Sequence, residues 1–258
     1  VSLIASRDNP RFKAIKRLAE QASARKQSAT TILEGPHLCA RYLERLGQPQ
    51  TCVVAQSART HAEIAAIVER VDASKLLVIE DQLYAKLSLL EHSVALLFVI
   101  DVSSSEPPAT IKRDAVLIDH LQDPGNLGSI LRSAAAAGVA EIFVSPGSVS
   151  VWSPKVLRAA MGAHFALAIH DGVELAALIE ASDVPVLATS SHQGSLLFDR
   201  DLRARPVAWL FGNEGQGVDE TLLDKTHPVR IPQPGGEESL NVAAAAAVCL
   251  FEMVRQRG

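Results

Sequence analysis

Asn126-Leu127-Gly128-Ser129-Ile130-Leu131-Arg132-Ser133 follows the apolar run Ala115-Val116-Leu117-Ile118-Asp119 and leads into the small residues Ala134 to Ala137. An apolar run of strand length, a Gly/Asn turn and a helix-forming stretch make a strand–turn–helix unit. Such a unit collects free backbone N–H groups at the helix start, where an anion can sit. With a helix predicted over 127–137, Arg132 falls about one turn in, and its guanidinium reaches back toward the same point. A phosphate, or a substrate with a phosphate beside the reacting atom, suits that arrangement. The same turn is also a common structural connector, so this segment alone leaves both readings open.

Two further segments repeat the pattern of an apolar strand entering a glycine-rich loop. They are Val207-Ala208-Trp209-Leu210-Phe211-Gly212-Asn213-Glu214-Gly215-Gln216-Gly217-Val218 and Val229-Arg230-Ile231-Pro232-Gln233-Pro234-Gly235-Gly236-Glu237-Glu238-Ser239-Leu240-Asn241-Val242-Ala243. Around them, strands are predicted at 115–119, 141–144, 184–189, 207–211 and 227–231. Helices are predicted at 127–137, 154–162, 173–181, 219–223 and 240–255. Alternation of this kind builds an α/β domain with a parallel sheet and ligands at the strand C-termini. A dinucleotide-binding oxidoreductase would need Gly-x-Gly-x-x-Gly after the first strand, and Pro124-Gly125-Asn126-Leu127-Gly128-Ser129 lacks that spacing.

The Ser103–Thr110 stretch, with Pro107 and Pro108, reads as a linker. It gives an organisation of 1–102, linker 103–112 and 113–258, both domains of ordinary size. The first domain opens with a predicted helix over 11–26, in which Phe12, Ile15 and Leu18 share a face. Strands follow at 31–33, 51–54, 76–79 and 94–100, with helices at 36–46, 61–71 and 81–90 between them.

The 258-residue chain carries a net charge of −4, which by itself argues against a nucleic-acid partner. Its distribution reverses that reading. The first thirty residues hold seven basic side chains (Arg7, Arg11, Lys13, Lys16, Arg17, Arg25, Lys26) against two acidic ones, Asp8 and Glu20. A basic head on an acidic body fits phosphates, although a solvated helix face has the same composition. Cys39, Cys52 and Cys249 are scattered among apolar neighbours without metal spacing, as buried reduced thiols would be. The longest apolar stretch, 242–251, is too short to span a bilayer, and the N-terminal residues carry no apolar signal region. A soluble cytoplasmic protein without metal is expected. His120, His164 and His170 lack a visible carboxylate pattern and read as surface or core histidines.

The three glycine-rich segments, in this order and spacing, closely resemble the motifs of SpoU/TrmH-type RNA ribose 2′-O-methyltransferases of the SPOUT superfamily, over about 115–255. The resemblance implies an α/β fold in which a knotted (trefoil) parallel-sheet catalytic domain follows a small α/β/α substrate-binding domain. It implies S-adenosylmethionine as the methyl donor and RNA as substrate. The basic head and first domain resemble enzymes acting on large-subunit ribosomal RNA more than those acting on tRNA, and the presence of Arg132 and the full glycine loops weighs against a catalytically inactive RNA-binding role. It casts Arg132 in hydroxyl activation. A guanidinium stays protonated, so a phosphate grip and stabilisation of developing alkoxide are the chemistry it can supply.

With Arg132, the resemblance groups Asn126, Glu214, Ser239 and Asn241 as catalytic. Asn126 is expected to brace the turn and Arg132, and Glu214 to hold Arg132 or shape the RNA site. Ser239 either meets substrate or caps the last helix. The adenosine pocket is expected from Thr189, Leu210, Phe211, Gly212, Asn213, Gly217, Ile231, Pro232, Gln233, Ser239, Leu240, Asn241 and Ala244. Gln233 stands where family members often have methionine. A bulky residue at Gly212 is expected to block the ligand while leaving the fold. RNA contacts are expected from Arg7, Arg11, Lys13, Lys16, Arg17 and Arg158. The last helix is apolar nearly all round, through Ala243–Ala247, Val248, Leu250, Phe251 and Val254, so a homodimer through the second domain is expected.

Overall fold

The computed structural model describes residues 3–88, 95–102, 106–203, 206–235 and 239–258. Outside these lie the expected strand start at Val94, the end of the 81–90 helix, Ser103–Ser105 of the linker, and Gly236, Glu237 and Glu238 of the third glycine-rich segment. The chain forms two compact units: Val1–Ser103 with Trp152–Phe165, and Ser104–Val151 with Ala166–Gly258.

In the first unit, Asn9 caps the opening helix by accepting from the Arg11 N–H at 2.9 Å, with Pro10 in the first turn. The elements are β1 (Leu3–Ile4), α1 (Pro10–Glu20), α2 (Ala22–Ser28), β2 (Thr30–Glu34), α3 (Pro36–Arg45), β3 (Thr51–Ala55), α4 (Ala62–Val68), β4 (Leu76–Ile79), α5 (Asp81–Tyr84) and β5 (Leu96–Asp101). The single helix expected over 11–26 is two. Gln21 is extended at the break, and Arg25 folds back so that its guanidinium donates to the Leu18 and Ala19 carbonyls at 2.6 and 3.2 Å. A helix C-terminus with unpaired carbonyls is a natural seat for that cation.

The sheet order is β1-β4-β3-β5-β2, with β5 antiparallel to both neighbours. Alternate residues of each strand face opposite sides. Leu33, Cys52, Val54, Phe98 and Ile100 share one core with Leu38, Tyr42 and Ile64, whereas Ile32, Val53, Leu97 and Val99 share another with Phe12, Ile15 and Tyr84. Both faces of the sheet are covered, so the layering is α/β/α. Leu157 and Phe165 join the first of these cores, which is why Trp152–Phe165 goes with this unit.

The second unit contains β6 (Ala115–Ile118), α6 (Pro124–Ala136) and β7 (Glu141–Val144). The chain then contributes α7 (Pro154–Ala159) to the first unit. It returns as β8 (Ala168–Asp171), α8 (Leu175–Glu180), β9 (Val186–Thr189), β10 (Ser195–Leu196), β11 (Ala208–Phe211), α9 (Glu220–Leu223), β12 (His227–Arg230) and α10 (Val242–Arg257). Seven parallel strands lie in the order β10-β12-β9-β11-β6-β7-β8. The central strands β6, β7 and β11 are buried throughout, as expected of a parallel sheet covered on both faces. Leu117, Phe143 and Leu210 meet α8 and α9 on one face, while α10 packs on α6 and β11. Ile111, inside the expected linker, is fully buried in this core. All three cysteines are free and buried. Burial pushes the Cys52 thiol up to about 12. Among the described residues no helix is long and apolar enough to cross a membrane.

Candidate active site

The three glycine-rich segments converge beyond the C-terminal ends of β6, β11 and β12 in the second unit. Helix α6 begins earlier than the expected 127, at Pro124, because Asp123 is its cap and accepts from the Asn126 N–H at 2.7 Å. Arg132 is therefore the ninth residue of the helix, about 12 Å of rise from its start rather than one turn. The anion seat expected at this N-terminus is also filled from within the protein. Glu214 accepts from the Asp123 and Gln122 N–H groups at 3.0 and 3.3 Å, so two carboxylates occupy the donors that a phosphate would need.

Asn126 joins all three segments. Its Nδ2 donates to Glu214 at 3.1 Å, and its Oδ1 accepts from Asn241 Nδ2 at 3.0 Å. Asn241 caps α10, accepting from the Ala243 and Ala244 N–H groups at 2.9 and 3.2 Å. Because backbone N–H groups only donate, this cap fixes which end of the Asn241 amide is oxygen. The assignment then propagates through Asn126, leaving its Nδ2 to face Glu214. Burial pushes the Glu214 carboxyl up, but the hydrogen bonds from Asn126 and the backbone N–H groups of Glu214, Asp123 and Gln122 outweigh it. The net result holds the group below its ordinary range.

These contacts revise several expected roles. Asn126 and Glu214 bind one another rather than Arg132, which is exposed and makes no hydrogen bond or ion pair among the described residues. Asn241, not Ser239, is the helix cap; Ser239 is exposed. Asn213 is a loop hub. Its Oδ1 accepts from the Gly215 and Gln216 N–H groups, its Nδ2 donates to the His120 carbonyl, and its backbone pairs with Gly217. Gly212 lies against this hairpin, where an added Cβ would fall 2.2 Å from the Gly217 carbonyl carbon and the Val218 nitrogen. Gly212→Val is therefore expected to lower stability by about 1–3 kcal/mol through overpacking, visible in thermal melts, instead of sparing the fold.

The other expected pocket residues lie at the same strand ends. Thr189 closes β9 and its hydroxyl donates to the Leu210 carbonyl at 3.4 Å. Leu210 and Phe211 are buried in β11. Gly217 closes the Asn213 hairpin, and Ile231, Pro232 and Gln233 follow β12. Ile231 and Gln233 are half-buried, Ala244 is half-buried in the first turn of α10, and Leu240 is 39% exposed. This partly open apolar surface suits an adenosine ring, flanked by loop backbone that can read its polar edge.

Of the expected RNA contacts, Arg7 and Arg11 are exposed. Lys13 pairs with Asp8 at 2.7 Å, Lys16 lies 3.5 Å from Glu20, and Arg17 donates to Gln21. Arg158 sits on α7 with one guanidinium nitrogen buried and unpaired. The sequence reading missed a histidine–carboxylate pair: His120 Nδ1 lies 2.5 Å from the buried Asp119 carboxylate. The adjacency of Asp119 and His120 was visible in the sequence, but the left-handed backbone at His120, φ +49°, and the side-chain contact were not.

Residues 114–251 match the SpoU rRNA Methylase family, and residues 9–97 match the MRM3-like substrate binding domain. An uncharacterized tRNA/rRNA methyltransferase of Synechocystis sp. is 34% identical across 100% of this chain and 95% of its own length. The 23S rRNA (guanosine(2553)-2'-O)-methyltransferase of Bacillus subtilis is 28% identical over 97% of this chain and 98% of its own. An AdoMet-bound rRNA methyltransferase structure from Sinorhizobium meliloti aligns with a TM-score of 0.83 at 27% identity, covering 98% of this chain and 97% of that one. With a match spanning more than half its length and a relative aligned end to end, the chain belongs to the SpoU rRNA methylase family, behind an MRM3-like substrate-binding domain.

Proposed function

We propose that this protein transfers a methyl group from S-adenosylmethionine to a ribose 2′-hydroxyl of large-subunit ribosomal RNA. The observation that carries the reading is Asn126, which ties the three motif loops into one hydrogen-bonded site. When bound, the donor supplies an electrophilic methyl on a sulfonium. Thr189, Leu210–Asn213, Gly217, Ile231–Gln233, Ser239, Leu240, Asn241 and Ala244 would hold it. Arg132, exposed and without a partner among the described residues, would grip the RNA phosphate and stabilise charge developing on the hydroxyl oxygen. Asn126, Glu214 and Asn241 orient the loops. Ser239, exposed and without a hydrogen bond among the described residues, would be available to substrate.

Mapping ribose methylation in cellular RNA with and without the protein tests this function. A lost site in large-subunit rRNA is expected. A lost site in tRNA would move the substrate, and no lost site together with no binding of labelled S-adenosylmethionine would end the enzyme reading.

The basic head is proposed to set RNA affinity. Reversing Lys13, Lys16 and Arg17 to Glu is expected to weaken RNA binding and flatten its salt dependence, because each phosphate contact adds close to one unit of slope. Donor affinity should not move. Unchanged RNA affinity across a salt series would make the head a solvated helix.

The proposed trefoil knot is supported by sheet order. β12, formed late in the chain, lies between β9 and β10, under a connection where a Cβ on Gly194 would fall 2.2 Å from the Pro228 carbonyl oxygen. The end of α10 then grips the segment after β10, with Gln256 bonded to Leu202 and Arg200, and Arg257 to Leu202. A homodimer through α10 is supported by Phe251 and Val254, which are 47% and 37% exposed on a helix otherwise packed on α6 and β11. Light scattering of Phe251→Glu should give half the wild-type mass; equal masses would reject this face. Buried free thiols suit a reducing compartment such as the cytoplasm.

A further inference from the structure

The His120–Asp119 pair lies outside every role assigned above. His120 holds φ +49°, a backbone that glycine or asparagine adopts at little cost and a residue with a bulky side chain does not. Three hydrogen bonds pin it there. Its N–H donates to Ser145 Oγ at 2.9 Å, and its carbonyl accepts from Asn213 Nδ2 at 2.9 Å and Gln122 Nε2 at 3.1 Å. The turn needs this backbone, not this ring.

The ring is held as firmly as the backbone. Nδ1 donates to Asp119 Oδ1 at 2.5 Å, and Asp119 Oδ2 accepts the Asp219 N–H at 3.0 Å. Asp119 is 1% exposed, so its carboxylate is a fixed anchor. The imidazole lies over Gly147, where a Cβ would come within 3.1 Å of Cδ2. The His120 side chain is nonetheless 57% exposed. A ring anchored through Nδ1 presents Nε2 as its open acceptor.

The neighbouring ionisable groups of loops 119–126 and 212–219 are already committed. Asp123 caps α6, Asp219 accepts from Thr221 at the start of α9, and Glu214 holds Asn126 and two loop N–H groups. Among the described residues, Asp119, Asp123, Glu214 and Asp219 are the acidic groups of these loops, and the Ser145–Ser148 side adds none. Such surroundings repel a phosphodiester and favour a neutral hydrogen-bond donor.

We propose that His120 is a substrate-contacting residue whose Nε2 accepts a hydrogen bond from a ribose hydroxyl of the RNA, with Asp119 as the positioning residue that orients the ring. The proposal rests on the methyltransferase reading and names a contact within it. A 2′-hydroxyl can donate such a bond, and a protonated imidazole can no longer accept it.

The test uses the full chain, labelled S-adenosylmethionine and deproteinised ribosomal RNA from cells lacking this protein. His120→Asn and His120→Gly both suit the left-handed turn but take the ring N–H from the buried Asp119 carboxylate, so thermal midpoints should fall modestly while donor affinity holds. KM for the RNA should increase about tenfold, the loss of one hydrogen bond. Wild-type RNA affinity should fall on acidification, and both variants should lack that fall. Nitrogen NMR of the His120 ring should show Nε2 shifting when RNA is added. Two variants with wild-type kinetics would reduce His120 to a turn residue. RNA affinity that rises on acidification, and does so only in the wild type, would make it a cationic phosphate contact and overturn the proposal. A wild-type protein that binds no donor would overturn the proposed function instead, while the ring's NMR response to RNA would still decide the contact.

Discussion

Replacing Asn126 with alanine is expected to lower methyl transfer by about 100-fold, the scale of losing a preorganised active-site hydrogen bond. The variant removes the bond to Glu214 and the bond from Asn241 together. Its stability cost should be about 1–2 kcal/mol, because the site is open enough for water to replace part of what is lost. Asn126→Asp is the sharper variant, since it sets a second carboxylate against Glu214. At neutral pH it should be less stable than the alanine variant, and acidification should close that gap.

The wild-type protein should respond to acid in the opposite sense. Glu214 is held below its ordinary range, so its contribution is fully present above the unfolded glutamate pKa and is lost as pH falls through the folded value. Asn126→Ala removes a principal donor and should shrink that acid-dependent loss. Denaturant melts across acidic pH, beside initial methylation rates, check these points. A fully active alanine variant would remove the Asn126 link from the mechanism.

Arg132→Ala should give the cleanest separation of chemistry from folding. The side chain is exposed and makes no bond among the described residues, so its loss should change stability by less than about 0.5 kcal/mol. Donor affinity, read by titration calorimetry, should be unchanged. Methyl transfer should nevertheless fall by about 100-fold or more, because the lost interaction strengthens only as charge develops. Arg132→Lys keeps the charge but not the planar fork and should rescue little. Near-normal turnover in the alanine variant would exclude Arg132 from the reaction.

The sequence by itself determined the strands with continuous apolar runs. The predicted strand at 141–144 coincides with β7, and the runs at 115–119 and 207–211 became β6 and β11. It also picked out the three strand-to-glycine junctions as local patterns, which the family resemblance then grouped into one expected site. It missed β8, whose His170 and Asp171 break the apolar pattern and whose pairing comes only from its place beside β7 at the sheet edge. Only the tertiary structure decided how the loops meet. The start of α6 turned on the Asp123 cap, and that shift of three residues leaves Arg132 about two turns into the helix. Asn126 meets Glu214 and Asn241 because the sheet order sets β11 beside β6 and α10 against α6, contacts spanning 88 and 115 residues of sequence. Local spacing specifies turns and faces over a few residues. Which loop fills another's N–H groups depends on sheet order, and no short stretch of sequence carries that order.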